Sequence, residues 1–109
     1  MHDAIESLID GLGNADTVRV VLETYLAELG SRAALLVSPS GNETTEEARR
    51  AAHTLKSTSS LIGADRLAKL CAEFEEADSP SEDLRSRLTK EISHVEAQLH
   101  ERLEMGIAA

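Results

Sequence analysis

Bulky aromatic side chains and sulfur are nearly missing from this 109-residue chain. It has one cysteine (Cys71), two prolines, one tyrosine, one phenylalanine and no tryptophan. A lone cysteine cannot close an internal disulfide, so a cystine-stapled scaffold is excluded. With so few aromatics, the core has to be built from Leu, Ile, Val and Ala, which suits packed helices better than sheets. Basic tracts are missing too, and the net charge is −9. Nucleic acid and anionic membrane surfaces are excluded as partners on that ground, because the phosphate term would be repulsive. No apolar run reaches the length of a membrane span, and the start lacks the basic and apolar regions of a signal peptide. The cytoplasm is the expected compartment. A module cut from a longer protein would also suit the short Met-His start.

What is present reads as helices with brief, well-marked breaks. Ile5, Leu8, Ile9 and Leu12 form a short amphipathic opener, with Gly11 and Gly13 as its stop. Asn14 caps a long second helix with the stripe Val18, Val21, Leu22, Tyr25, Leu26, Leu29, Ala33 and Leu36. A loop follows at Ser38-Pro39-Ser40-Gly41-Asn42. Thr44-x-x-Glu47 has capping-box spacing, so a third helix should start at Thr44 or Thr45 and run to about Ile62, where Gly63 ends or bends it. A fourth carries Leu67, Leu70, Cys71 and Phe74 on one face. Ser79-Pro80-Ser81-Glu82 reads as a capping box with proline at the first helical position. The last helix shows Leu84, Leu88, Ile92, Val95, Leu99 and Leu103 at helical spacing. Size and short connections predict one all-α domain over 1–109: an antiparallel four-helix bundle with its core at about 14–105, and the opener as a lid on one end.

The third helix carries the chemistry. At about 100° per residue, Ala48, Ala51, Ala52, Leu55, Ser59 and Ile62 fall into one buried stripe. His53 then lies roughly 160° from the centre of that stripe, with Lys56, Ser57 and Ser60 beside it at i+3, i+4 and i+7. A neutral imidazole is a good nucleophile near neutral pH and can carry a phosphoryl group. In-line transfer needs an accessible ring without large neighbours, and the charge that builds on the phosphoryl oxygens is offset by a nearby ammonium. His53 supplies the nucleophile, Lys56 the cation, and Ser57 and Ser60 the low relief. The chain shows no Gly-rich phosphate loop, nucleotide motif or metal cluster, so it can accept a phosphoryl group but not take one from ATP unaided.

Ala52-His53-Thr54-Leu55-Lys56-Ser57, followed by Gly63-Ala64, Leu67, Leu70-Cys71 and Phe74-Glu75, resembles the histidine-containing phosphotransfer (HPt) domains of multistep two-component phosphorelays. Leu12-Gly13 and the segment from Val21 to Leu29, with Tyr25 at an aromatic position, are more loosely similar. The resemblance implies a four-helix bundle with His53 as phospho-acceptor. Lys56 would stabilise the phosphoryl oxygens, and Ser57 would leave room for the partner's active site. It also implies docking onto response-regulator receiver domains, which bring the phosphorylated aspartate and the Mg²⁺, and supply from a sensor or hybrid histidine kinase. Two positions depart from the family pattern. Position 57 is Ser where Gly is commoner, and position 61 is Leu where a polar residue is frequent. Leu61 falls roughly 120° from the core centre, half exposed, and joins Ser57, Ser60, Arg49 and Arg50 as the expected docking patch.

The remaining candidates have plainer readings. Gly63 serves backbone geometry, and Leu67, Cys71, Phe74 and Tyr25 are core by spacing. His94 and His100 stand six apart, not at the i, i+4 spacing of a two-histidine metal site, and His2 is terminal; all three read as surface histidines. The acidic runs Glu43-Glu46-Glu47 and Glu73-Glu75-Glu76 read as helix starts and solvated faces, with Glu46 a candidate for tuning partner choice. No bound cofactor is expected, nor autonomous kinase activity, and the free face around His53 favours a monomer. Two other readings remain at this level: a phosphorylation-independent adaptor bundle, and the phospho-accepting module of a chemotaxis-type or hybrid histidine kinase.

Overall fold

The computed structural model describes residues 2–37, 46–77 and 80–105. Five helices account for nearly all of them, and the described residues contain no strand. They are α1 (His2–Leu12), α2 (Ala15–Val37), α3 (Glu46–Leu61), α4 (Asp65–Glu76) and α5 (Glu82–Met105). Helices α2, α3, α4 and α5 close a ring in which each packs on two neighbours: α2 on α3 and α5, α4 on α3 and α5. The molecule is 44 Å long and about 20 Å across, so the longest helix, roughly 36 Å at 1.5 Å per residue, lies along its axis. The all-α bundle expected from composition and periodicity is the fold observed.

Helix α1 packs against α2. Ile5 is buried, Leu8 and Ile9 are partly buried against the core, and Arg102 of α5 reaches Glu6 at 3.2 Å. That contact places the opener where α2 begins and α5 ends. Leu12 does not join the stripe: it is exposed in the last turn, beyond the reach of the core. Gly11 does not stop the helix either, since it lies within α1. Gly13 does, at φ +67°, with its N–H donating to Ile9 O at 2.7 Å, the bond that closes a left-handed C-cap. Asn14 then starts α2, its side-chain oxygen accepting from the N–H groups of Asp16 (2.8 Å) and Thr17 (3.3 Å).

Most of the predicted core positions are buried, while Val21, Leu26 and Leu103 are only partly so. Val18, Leu22, Leu29 and Leu36 of α2 meet Ala48, Ala52 and Leu55 of α3, Leu67 and Phe74 of α4, and Leu88, Val95 and Leu99 of α5 in a single cluster. Each fully buried leucine contributes about 1.5–3 kcal/mol, so this cluster outweighs the exposed ion pairs, worth about 0–1 kcal/mol each. The alanines of α3 carry a second consequence. Small residues at 48, 51 and 52 let α3 sit close to its neighbours on one side while the opposite side stays free.

The start of α5 differs from the expected one. The cap is Ser81, whose Oγ accepts from Leu84 N–H at 3.0 Å while its carbonyl accepts from Arg85 N–H at 3.1 Å. Pro80 therefore precedes the cap, buried and outside the helix. Ser79, the other serine of the expected capping box, lies outside the described residues. The loop at 38–42 and the proposed start of the third helix at Thr44 or Thr45 lie outside the described residues.

Candidate functional site

Local backbone chemistry sets the position of α3 against α4. Gly63, at φ +81°, ends α3 in a Schellman turn: Ala64 N–H donates to Ser59 O at 2.8 Å and Gly63 N–H to Ser60 O at 3.1 Å. The chain then reverses directly into α4, which begins at Asp65 without a side-chain cap. Ile62 and Ala64 are buried on either side of the glycine and fix the turn to the core. The two helices run side by side as a result, and the last turns of α4 come alongside the middle of α3.

That pairing builds the site. His53 projects outward from α3 with its side chain 64 % exposed. Its Nδ1 lies 3.2 and 3.3 Å from the two carboxylate oxygens of Glu75 on α4. An ionised carboxylate only accepts, so this contact places the ring proton on Nδ1 and leaves the Nε2 lone pair as the nucleophilic one. Lys56, one turn along α3, brings Nζ to 3.0 Å from the same Glu75 carboxylate. The hydrogen bond from the Lys56 ammonium holds the Glu75 carboxyl below its ordinary value, opposed by burial, with the His53 contact adding a lesser pull in the same direction as Lys56. Glu75 is 28 % exposed and serves both partners at once.

Around this trio the helix surface is low. Ser57 and Ser60 are exposed and small, and Ser57 Oγ turns back toward His53 O at 3.5 Å instead of reaching outward. A cleft beside the imidazole is lined by Glu46, Arg49, Arg50, Thr54 and Glu75. Arg50 pairs with Glu46 at 2.8 Å, both side chains almost fully solvated. Arg49 is partly buried and donates to Ala77 O at 3.2 Å, tying α3 to the end of α4. Farther along α3, Leu61 is 57 % exposed and faces Val20 of α2, which is 61 % exposed. With Val21, Thr24 and Thr58 they floor an apolar groove between the two helices, rimmed by Glu28.

The supporting residues occupy the predicted places. Leu67, Leu70, Cys71 and Phe74 are buried on one face of α4, and burial, helped by the nearby Glu75 charge, pushes the Cys71 thiol up to about 12. This thiol is a core group and not a reactive one. His94 and His100 are exposed on α5. Among the described residues, no group of three or more His, Cys, Asp and Glu side chains is placed to hold a metal ion.

Residues 17–104 match the family model described as Hpt domain. The chain belongs to the Hpt family. Hpt domains serve histidine phosphotransfer in phosphorelays and interact with receiver domains and kinases. No curated protein and no solved structure gives a match. Within this Hpt domain the helix-wheel reading left two residues out of the site. Glu75 looks like part of a solvated acidic run, yet it is the residue that joins His53 to Lys56. Nothing in the spacing of α4 alone signals that role; the signal is its place in the family pattern, at the end of Phe74-Glu75. Val20 is the second omission, because it falls on the polar side of α2 and gains meaning only opposite Leu61.

Proposed function

We propose that this Hpt domain is a phosphocarrier, accepting a phosphoryl group on His53 from a receiver-domain aspartate and passing it to the aspartate of another response regulator. The observation that carries the reading is the exposed imidazole tied at Nδ1, within an Hpt domain. Nε2 attacks the phosphorus as the bond to the aspartyl oxygen breaks, and the aspartate leaves as a carboxylate. Lys56 stands one turn away, where its ammonium can offset the charge on the phosphoryl oxygens. The receiver supplies Mg²⁺ together with the aspartate, and this chain binds no cofactor of its own.

Ser57 and Ser60 keep the surface low enough for the receiver's active site to approach, and Leu61 anchors the docking patch with Val20 beside it. Arg50 lies at the margin of that patch, and Arg49 acts chiefly through its bond to Ala77 O. The domain functions as a monomer in the cytoplasm, takes no part in nucleic-acid or membrane binding, and has no kinase activity by itself. Supply comes from a sensor or hybrid histidine kinase by way of its receiver. No helix among the described residues is long and apolar enough to cross a membrane.

The test is transfer from phosphorylated receiver domains of the source organism to the wild-type chain and to His53→Gln. Acid-labile label on the wild type, absent from the variant, is expected. Label that persists on the variant assigns another acceptor. Receiver binding without any transfer, unchanged in His53→Ala, supports an adaptor instead.

A further inference from the structure

Among the described residues, Lys56, Arg49 and Arg50 are the cations that border the imidazole, and they do not share one side of it. Lys56 binds Glu75 and Arg49 binds Ala77 O, so both stand on the side toward α4. Nδ1 faces Glu75 on that side, and Nε2, across the ring, therefore faces away from α4. Arg50, three residues before His53, falls about 60° around α3 in the direction opposite to Lys56 and Arg49. Helical side chains lean toward the N-terminus, which tilts the ring over the turn that carries Arg50, and Arg50 lines the cleft beside it. Its partner Glu46 lies at 2.8 Å, with the two side chains 79 % and 81 % exposed, and a pair so solvated is weakly held. Lys56, at 37 % exposure, is far less free to move. Arg50 is the cation placed to respond to a group on Nε2.

We infer that Arg50 is a phosphoryl-binding residue: once His53 is loaded on Nε2, the guanidinium leaves Glu46 and takes the phosphoryl oxygens. This deepens the phosphocarrier reading of His53 and rests on it. A phosphoryl group carries more negative charge than the single one on Glu46, and its oxygens match the planar fork of the guanidinium. Glu46, once deserted, stands in water, so its loss of a partner is cheap. Lys56 stays with Glu75 and acts from its place on the other side of the ring. No covalent bond changes in this exchange; one ion pair opens and another forms. The loaded ring is then bracketed by a cation on each side, while in the empty site Glu46 keeps Arg50 within reach.

The experiment loads the chain without a receiver, using phosphoramidate: Nε2 attacks its phosphorus and ammonia leaves. The ³¹P signal that is missing from His53→Gln identifies the loaded His53 among the other exposed histidines. Its pH titration is compared in wild type, Arg50→Gln, Glu46→Gln and the double variant. In Arg50→Gln the phosphoryl group should bind its last proton about two- to fivefold more tightly, the range of a solvent-exposed ion pair. Glu46→Gln frees Arg50 and should loosen that proton, and the loosening should shrink in the double variant. The Arg50 Nε–H signal of the wild type should shift on loading and return as the phosphoryl group hydrolyses. An unchanged proton affinity in Arg50→Gln, or an Arg50 signal blind to loading, overturns the proposal. Weaker receiver binding by that variant does not rescue it, because that pattern belongs to a docking residue alone. Transfer from phosphorylated receivers is scored on the same chains, and its absence from the wild type defeats the carrier reading itself. A His53 that takes the group from neither source defeats both.

Discussion

The hydroxyls of Tyr25 and Ser59 meet at 2.7 Å inside the bundle, joining α2 to the buried side of the helix that carries His53 outward. Ser59 is fully buried and Tyr25 nearly so, which makes this the polar contact at the core of the α2–α3 interface. A buried hydroxyl left without a partner costs about 1–3 kcal/mol, more than the net 0.5–1.5 kcal/mol of the bond itself.

Ser59→Ala should therefore destabilise the fold by about 1–3 kcal/mol, because it strands the phenol. Tyr25→Phe should cost less, about 1 kcal/mol, since a serine hydroxyl in a helix can turn to a carbonyl one turn back. Urea unfolding of both singles and the double variant reads this directly. The double variant should be more stable than the sum of the two losses predicts.

Alkali should weaken the fold through two buried acids. Burial raises the Tyr25 phenol from 10.0 to about 12, partly offset by its hydrogen bond to Ser59, and raises the Cys71 thiol from 9.0 to about 12. Both bind their protons more tightly folded than unfolded, so unfolding releases protons in this range and stability falls as pH rises. The loss should begin near pH 9, steepen past pH 10 and level off above about pH 12. Cys71→Ala should remove the part that begins near pH 9 while costing some stability at neutral pH. Thermal melts from pH 7 to 11.5 check the slope; a flat profile would contradict the assignment.

The apolar groove should report on docking without touching the fold. Val20 and Leu61 are more than half exposed, so Val20→Asp and Leu61→Asp are expected to leave the melting temperature within a few degrees. Receiver affinity should drop about tenfold for Leu61→Asp, the cost of roughly 1.4 kcal/mol at an interface anchor, and by less for Val20→Asp. Calorimetric titration of the receiver separates this from a chemical effect: the reaction within the saturated complex should proceed at close to its wild-type rate.

Much of this molecule is decided by its sequence alone. Periodicities of about 3.6 place the buried stripes of four helices, and the scarcity of aromatics suits packed helices better than sheets. Asn14, Gly13 and Gly63 mark real breaks because caps and left-handed turns depend on a residue and its immediate neighbours. The outward direction of His53 follows from the alanine-rich stripe behind it, and its neighbours Lys56, Ser57 and Ser60 come from the same helix.

Tertiary structure decided what crosses between helices. Lys56 looks like a free cation on the α3 wheel, yet it is held by Glu75, which stands nineteen places on and belongs to another helix. The cap at Ser81, the exposure of Leu12, and the shared groove of Val20 and Leu61 are of the same kind. A helical wheel orders residues around one axis only; where a second axis passes, and at what height, is set by packing across the whole core. The imidazole's exposure was therefore local information, while the carboxylate that selects its nucleophilic nitrogen was not.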